Sequence, residues 1–170
     1  MTDFAIRDAT PEDAVALISL RQAVFAQTDF MLYGPGEYSA TPEEVASQLR
    51  RIAGSGHSRS LVAARSDELI GFLGVSGSSI PRLRHSASIA VGVLRQWWGR
   101  GIASSLLAEV LAWAPSAGLS RLELFVMKNN PRAIALYERA GFRVEGSRRR
   151  AYVVNHASVD DLLMARVIEL

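Results

Sequence analysis

The chain has 170 residues, 49% hydrophobic and 21% charged, enough for one domain with a substantial core and too few for two ordinary ones. Nineteen basic residues against seventeen acidic ones leave a net charge of +2, which argues against a dedicated nucleic-acid binder. Zero cysteines exclude a disulfide framework, a thiolate metal site and a cysteine acyl-enzyme, and His57, His85 and His156 are too scattered for a local metal motif, so no metal is expected.

The first residues carry an acid at Asp3 and no apolar stretch resembling a signal peptide, and no later apolar run reaches membrane-spanning length. A cytoplasmic enzyme or binding module with no membrane partner is the expectation. Phe4 to Arg7 reads as a short strand. Thr10-Pro11-Glu12-Asp13 then supplies an N-cap, a proline at the first helical position and an acid at the third, opening a helix to about Gln27. Thr28 to Ala40 is an unusually apolar loop. Thr41-Pro42-Glu43-Glu44 repeats the start signal, for a helix ending near Gly54.

Ser60 to Arg65 and Leu69 to Ser76 read as an antiparallel hairpin, with Gly71 and Gly74 marking a bulge or a close backbone approach. His85 to Leu94 is a third strand. A helix from about Arg100 to Ala114, a strand from Arg121 to Met127, a helix from Pro131 to Ala140 and strands over Phe142 to Val154 and Val159 to Ile168 complete a mixed α/β layer fold.

The informative stretch runs from Val91 through Gly99-Arg100-Gly101 to Leu107. A strand feeds a glycine-rich turn that opens a helix, so free N–H groups and the positive end of the helix dipole converge on one point suited to a phosphate. A Walker A loop fails, because Lys128 is the sole lysine and lies outside the turn. A dinucleotide fingerprint would use Gly99, Gly101 and Ser104 with Glu123 for the ribose. Ser104 replaces its third glycine, and Arg95 to Trp98 separate the strand from the turn. A purely structural glycine turn is the remaining alternative.

Trp98-Gly99-Arg100-Gly101-Ile102-Ala103 resembles the [QR]-x-x-G-x-[GA] signature of the GNAT acyltransferase superfamily, with Trp98 where glutamine or arginine is usual. Asn130-Pro131-Arg132-Ala133-Ile134-Ala135-Leu136-Tyr137-Glu138-Arg139-Ala140-Gly141-Phe142 is similar to that superfamily's second block, N-x-x-A-I-x-L-Y-E-x-x-G-F. The resemblance extends from about Phe4 to Ile168. It implies a single domain with a mixed, mostly antiparallel central sheet flanked by helices. A V-shaped opening is expected between the strand before the glycine turn and the next strand.

The resemblance also implies an N-acetyltransferase that moves an acetyl group from acetyl-CoA to a primary amine of a small molecule, or second to a protein N-terminus, by direct attack. The alternative is a catalytically silent acyl-CoA-binding module. Main-chain groups of Val91, Gly92 and Val93 would bind the pantetheine arm, with Gly92 suiting a bulge. Trp98, Gly99, Arg100, Gly101, Ile102, Ala103 and Ser104 would cradle the diphosphate. Asn130 would contact the cofactor, and it is equally a helix N-cap. Tyr137 would be the acid for the departing thiolate, and the Val93 N–H the oxyanion donor.

No acid stands on the strand before the turn, so Glu123, Glu37 and His85 are the remaining candidates for a general base. Phe30, Tyr33 and Glu37 in the apolar loop, with the hairpin between Tyr152 and Val159, are the expected acceptor side. Arg148-Arg149-Arg150 could clamp a phosphate or an acidic substrate, but residues alternate along a strand and the trio cannot converge without a bulge, so a solvated, protected edge is the preferred reading. A homodimer through that edge or the apolar loop is left open.

Overall fold

The structure, a computed structural model, describes residues 3–169. Strand β1 (Ala5–Asp8) is followed by helices α1 (Ala14–Gln27) and α2 (Pro42–Ala53), then by β2 (Arg59–Arg65), β3 (Glu68–Gly77) and β4 (Ser86–Val93). Helix α3 (Ile102–Trp113), β5 (Arg121–Met127), α4 (Pro131–Arg139), β6 (Arg143–Val154) and β7 (Ala157–Val167) complete the chain. The seven strands form one sheet in the order β1-β2-β3-β4-β5-β7-β6, antiparallel except for the β4/β5 pair. This is the mixed α/β architecture expected from the sequence.

Local chemistry sets the boundaries. Thr41 and Glu44 form a reciprocal cap: the Glu44 N–H donates to Thr41 Oγ1 at 3.3 Å and the Thr41 N–H to Glu44 Oε2 at 2.7 Å. The expected first helix instead opens with a 3₁₀ turn over Pro11–Asp13 before α1 begins at Ala14. Asp13 is drawn back to the Thr10 N–H at 2.8 Å and holds Arg7 through both oxygens, a bidentate pair that ties β1 to the turn. Strands β6 and β7 meet at Asn155 and His156, both at positive φ (49° and 66°), a two-residue turn tighter than expected.

Two glycines show how the helices approach opposite faces of the sheet. A Cβ at Gly71 would stand 3.1 Å from Ile102 of α3, whereas one at Gly92 would stand 3.1 Å from Val24 of α1. Gly71 also opposes Ala63, beside the β2/β3 register shift, so both the bulge and the close approach occur there. With both faces covered, β3 is buried without interruption from Leu69 to Leu73. The core joins Leu17, Val45 and Leu49 to Leu61, Leu73, Leu106, Leu107, Phe142 and Met164. Among the described residues no helix is long and apolar enough to cross a membrane.

Candidate functional site

Strands β4 and β5 pair only through Ser86–Ser88 against Arg121–Glu123, then part. On its other edge β4 stays paired with β3 up to Val93 opposite Gly71. The Leu94 N–H donates to the Ile70 carbonyl at 3.0 Å, so Leu94/Ile70 is a hydrogen-bonded pair and Val93/Gly71 is not. The N–H and C=O of Val93, and by alternation of Val91, therefore face the gap. Those of Gly92 face Phe72.

Gly92 sits in regular register, without the bulge expected there. Its reason is packing: a Cβ would fall 2.6 Å from the Phe72 ring.

Beyond Val93 the chain makes a 3₁₀ turn over Arg95–Trp97, anchored where the Arg95 N–H donates to Gln27 Oε1 at 2.8 Å. Gly99 (φ 77°) and Gly101 (φ 82°) both take the left-handed conformation that β-carbons disfavour. These two glycines fit the signature in the register Gln96-Trp97-Trp98-Gly99-Arg100-Gly101, which puts Gln96, and not Trp98, at its first position. The first helical bond of α3 runs from the Ser105 N–H to the Gly101 carbonyl at 2.9 Å, leaving the N–H groups of Ile102, Ala103 and Ser104 without an intrahelical acceptor.

Arginines and tryptophans brace this turn. Trp97 lies between Arg65 (5.1 Å) and Arg100 (4.7 Å), and Trp98 between Arg95 (5.4 Å) and Arg132 (4.5 Å). The Trp98 indole N–H donates to the Val93 carbonyl at 2.7 Å. Of the two Val93 backbone groups facing the gap, that bond occupies the acceptor and leaves the donor.

The gap opens into a cavity of about 690 Å³. Val91, Gly92 and Val93 line it, as do Trp98, Gly99 and Gly101, then Ile102, Ala103 and Ser104 at the start of α3. Asn130 and Tyr137 also line it. Arg100 does not: its guanidinium lies over Trp97. Asn130 Oδ1 accepts the Ala133 N–H at 3.2 Å, so this cavity-lining residue caps α4 through its oxygen and keeps an amide nitrogen that can donate.

Tyr137 is 7% exposed and stacks edge-on against Phe142 with centroids 5.9 Å apart. Burial pushes its phenol up to about 12, which holds the proton on through neutral pH.

At the other end Phe30 lines the cavity, with Met31, Leu32, Phe125 and Tyr152. Tyr33 and Glu37 do not. Tyr33 packs with Phe25 and Tyr38 at centroid distances of 5.5 Å each, a small aromatic core of the loop itself. Glu37 Oε2 accepts the Gly34 N–H at 2.7 Å. The candidate bases Glu123, Glu37 and His85 all lie outside the lining, and among the described residues no carboxylate or imidazole faces the cavity.

Arg148, Arg149 and Arg150 are exposed on the edge strand β6, as the sequence suggests, but Arg148 is also ion-paired. Its Nε donates to Asp161 Oδ1 at 3.0 Å, and Asp161 is 0% exposed. Sequence reasoning missed Phe125, Arg132, Arg139 and this ion pair. The hairpin at Tyr152 was one hint; Arg132 and Arg139 stand on α4 inside the Asn130–Phe142 block, whose helical face could have found them, whereas Phe125 and the ion pair depend on strand pairing distant in sequence.

A parted sheet with a backbone-lined gap and an anion-accepting turn beside it is an α/β arrangement whose shape and donors suit a long ligand with an acidic end. The chain belongs to the Acetyltransferase (GNAT) family, whose model matches residues 24–142. It is an enzyme of the acyltransferase type. It is 32% identical over 118 residues to the L-amino acid N-acetyltransferase AaaT of Escherichia coli, covering 69% of this chain and 73% of that one.

Among solved structures, an acetyltransferase of the GNAT family from Streptococcus pneumoniae superposes with a TM-score of 0.94 at 30% identity, covering 98% of this chain and 99% of that one. The structure of yncA from Salmonella typhimurium with its cofactor acetyl-CoA shares the fold, with a TM-score of 0.86 at 17% identity over 98% and 95% of the two chains.

Proposed function

We propose that the chain, acting as one acetyltransferase domain, moves the acetyl group of acetyl-CoA to a primary amine of a small molecule, with a protein N-terminus as the second class of acceptor. The observation that carries this reading is the outward-facing Val93 N–H in a gap that runs on to the glycine turn. The donor set fits acetyl-CoA: the free N–H groups of residues 102–104 and the nearby arginines suit the diphosphate, and Val91 suits the amide-bearing arm. Arg139 adds positive charge at the wall. Acetyl-CoA supplies the activated acyl group.

The chain's own residues then have distinct tasks. The Val93 N–H is a donor for the negative charge that grows on the acyl oxygen as the amine attacks. A carbon–nitrogen bond forms and the carbon–sulfur bond breaks. The departing thiolate takes a proton from the Tyr137 phenol, which burial keeps protonated, the amine loses its own proton to solvent, and solvent returns one to the phenol to close the cycle. With no base lining the wall, the acceptor must arrive as the neutral amine, a form that desolvation in an apolar site favours.

The test is twofold. Acetyl-CoA is expected to raise the melting temperature, and a supplied amine to release free CoA. Absence of any stabilisation at saturating acetyl-CoA would overturn the reading, and binding without release across a broad amine panel would make the chain a silent acyl-CoA-binding module.

A further inference from the structure

The acceptor end of the cavity has a floor of Phe125, Met127 and Tyr152, and Arg148 with its partner Asp161 stands beside it, outside the lining. Phe125, Met127, Asp161 and Arg148 share one face of the sheet, since Met127 is paired with Asp161 and Asp161 with Arg148. The Arg148 guanidinium lies over the Phe125 ring, 3.7 Å from its centroid, and both Asp161 oxygens grip it from below. Nε and one terminal nitrogen are thereby committed, and the other terminal nitrogen makes no hydrogen bond to any acceptor among the described residues.

A bulge completes the arrangement. Arg148 opposes Asp161 and Tyr152 opposes Val159, so β6 spends four steps where β7 spends two. The two extra residues are looped out with Arg150 at φ 53°, its N–H tied to Asp160 Oδ1 at 2.8 Å. Tyr152 thus takes the same-face position beside Arg148 that Arg150 would hold in a regular strand, and it lines the cavity there.

Carboxylates around this floor are already engaged. Glu123 is paired with Arg121, Asp160 with Lys128 and Asp29 with Asn155. A polycationic acceptor would find no free anion here.

We propose that Arg148, held by Asp161 over Phe125 and flanked by Tyr152, is a carboxylate-recognising subsite, so that the acceptor is a small amine bearing its own carboxylate, an α-amino acid with an apolar side chain. The inference rests on the acetyl-transfer reading above. The free guanidinium edge and the tyrosine hydroxyl take the carboxylate. Phe30, Met31 and Leu32 cover the apolar side chain.

The test compares L-leucine, L-leucinamide and spermidine as acceptors, with free-CoA release as readout. The amide has the less basic amine, so intrinsic reactivity favours it, and a preference for the acid reports recognition. Leucine is expected to exceed leucinamide in kcat/KM by about tenfold or more, the size of a lost charge-assisted hydrogen bond. Arg148→Gln should erase that ratio and leave the KM for acetyl-CoA unchanged. The substrate comparison on the unaltered protein stands even if that variant fails to fold.

Equal or better use of leucinamide or spermidine overturns the subsite and leaves acetyl transfer intact. If no amine is turned over, melting in the presence of CoA still decides: further stabilisation by leucine but not leucinamide supports the subsite, and none from either overturns it.

Discussion

At the glycine turn the cavity wall is mostly backbone from one continuous stretch, Val91 to Ser104. At the acceptor end it is side chains gathered from the α1–α2 loop, β5 and β6. The first wall depends on conformation: two left-handed glycines and the uncapped start of α3. The second depends on packing across strands that meet only when the sheet forms. A backbone wall tolerates side-chain change and fails when a dihedral is forbidden, whereas a side-chain wall behaves in the opposite way.

That contrast can be broken first at Tyr137, between the two ends. Tyr137→Phe keeps the ring against Phe142 and removes the proton, so kcat is expected to fall about a hundredfold, the scale of a lost general acid, with acetyl-CoA affinity unchanged. Steady-state kinetics checks this, and an unchanged kcat removes the residue from that role. At the backbone wall, Gly101→Val forces a β-branched residue to φ 82°, a strain of about 1–3 kcal/mol. Acetyl-CoA affinity measured by calorimetry should weaken about tenfold or more, with the circular dichroism of the fold retained.

Smaller effects sharpen the comparison. Trp98→Phe keeps a ring between Arg95 and Arg132 but loses the bond to the Val93 carbonyl, worth about 0.5–1.5 kcal/mol, so kcat should drop roughly three- to tenfold with little change in acetyl-CoA affinity. A fall in affinity alone would make Trp98 only a wall of the turn.

The smallest effect is a pH dependence. Because burial raises the Tyr137 phenol from 10.0 to about 12, the folded state holds its proton where the unfolded chain has lost it. Its contribution to stability is complete below pH 10 and is lost as pH rises through about 12. The melting temperature of Tyr137→Phe should therefore fall less steeply over that range than that of the unaltered protein.

The same contrast governs what could be read from the sequence. The element order and the glycine turn were legible because each rests on local signals: the caps at Thr41 and Asn130, the glycines at 99 and 101, and the apolar runs of β3 and β4. Residues of the turn and of the Asn130–Phe142 block fell together in one cavity for that reason. Gly92 was legible as special, but the cause lay in the Phe72 ring on the neighbouring strand. Tyr33 and Glu37 looked like acceptor contacts, yet Phe25 and the Gly34 N–H claim them, and nothing in the loop's own sequence says which way it folds back. Arg148 was judged by strand alternation alone, since its partner Asp161 is set by the β6/β7 register and the bulge.

In the proposed function acetyl-CoA lies along the open edge of β4 with its acidic end at the start of α3. Backbone amide resonances followed during an acetyl-CoA titration test this most directly. Large shifts and slowed hydrogen exchange are expected at Val91, Val93 and residues 102–104, with little change in β1 and β2. Saturable binding that leaves those amides unmoved would contradict it.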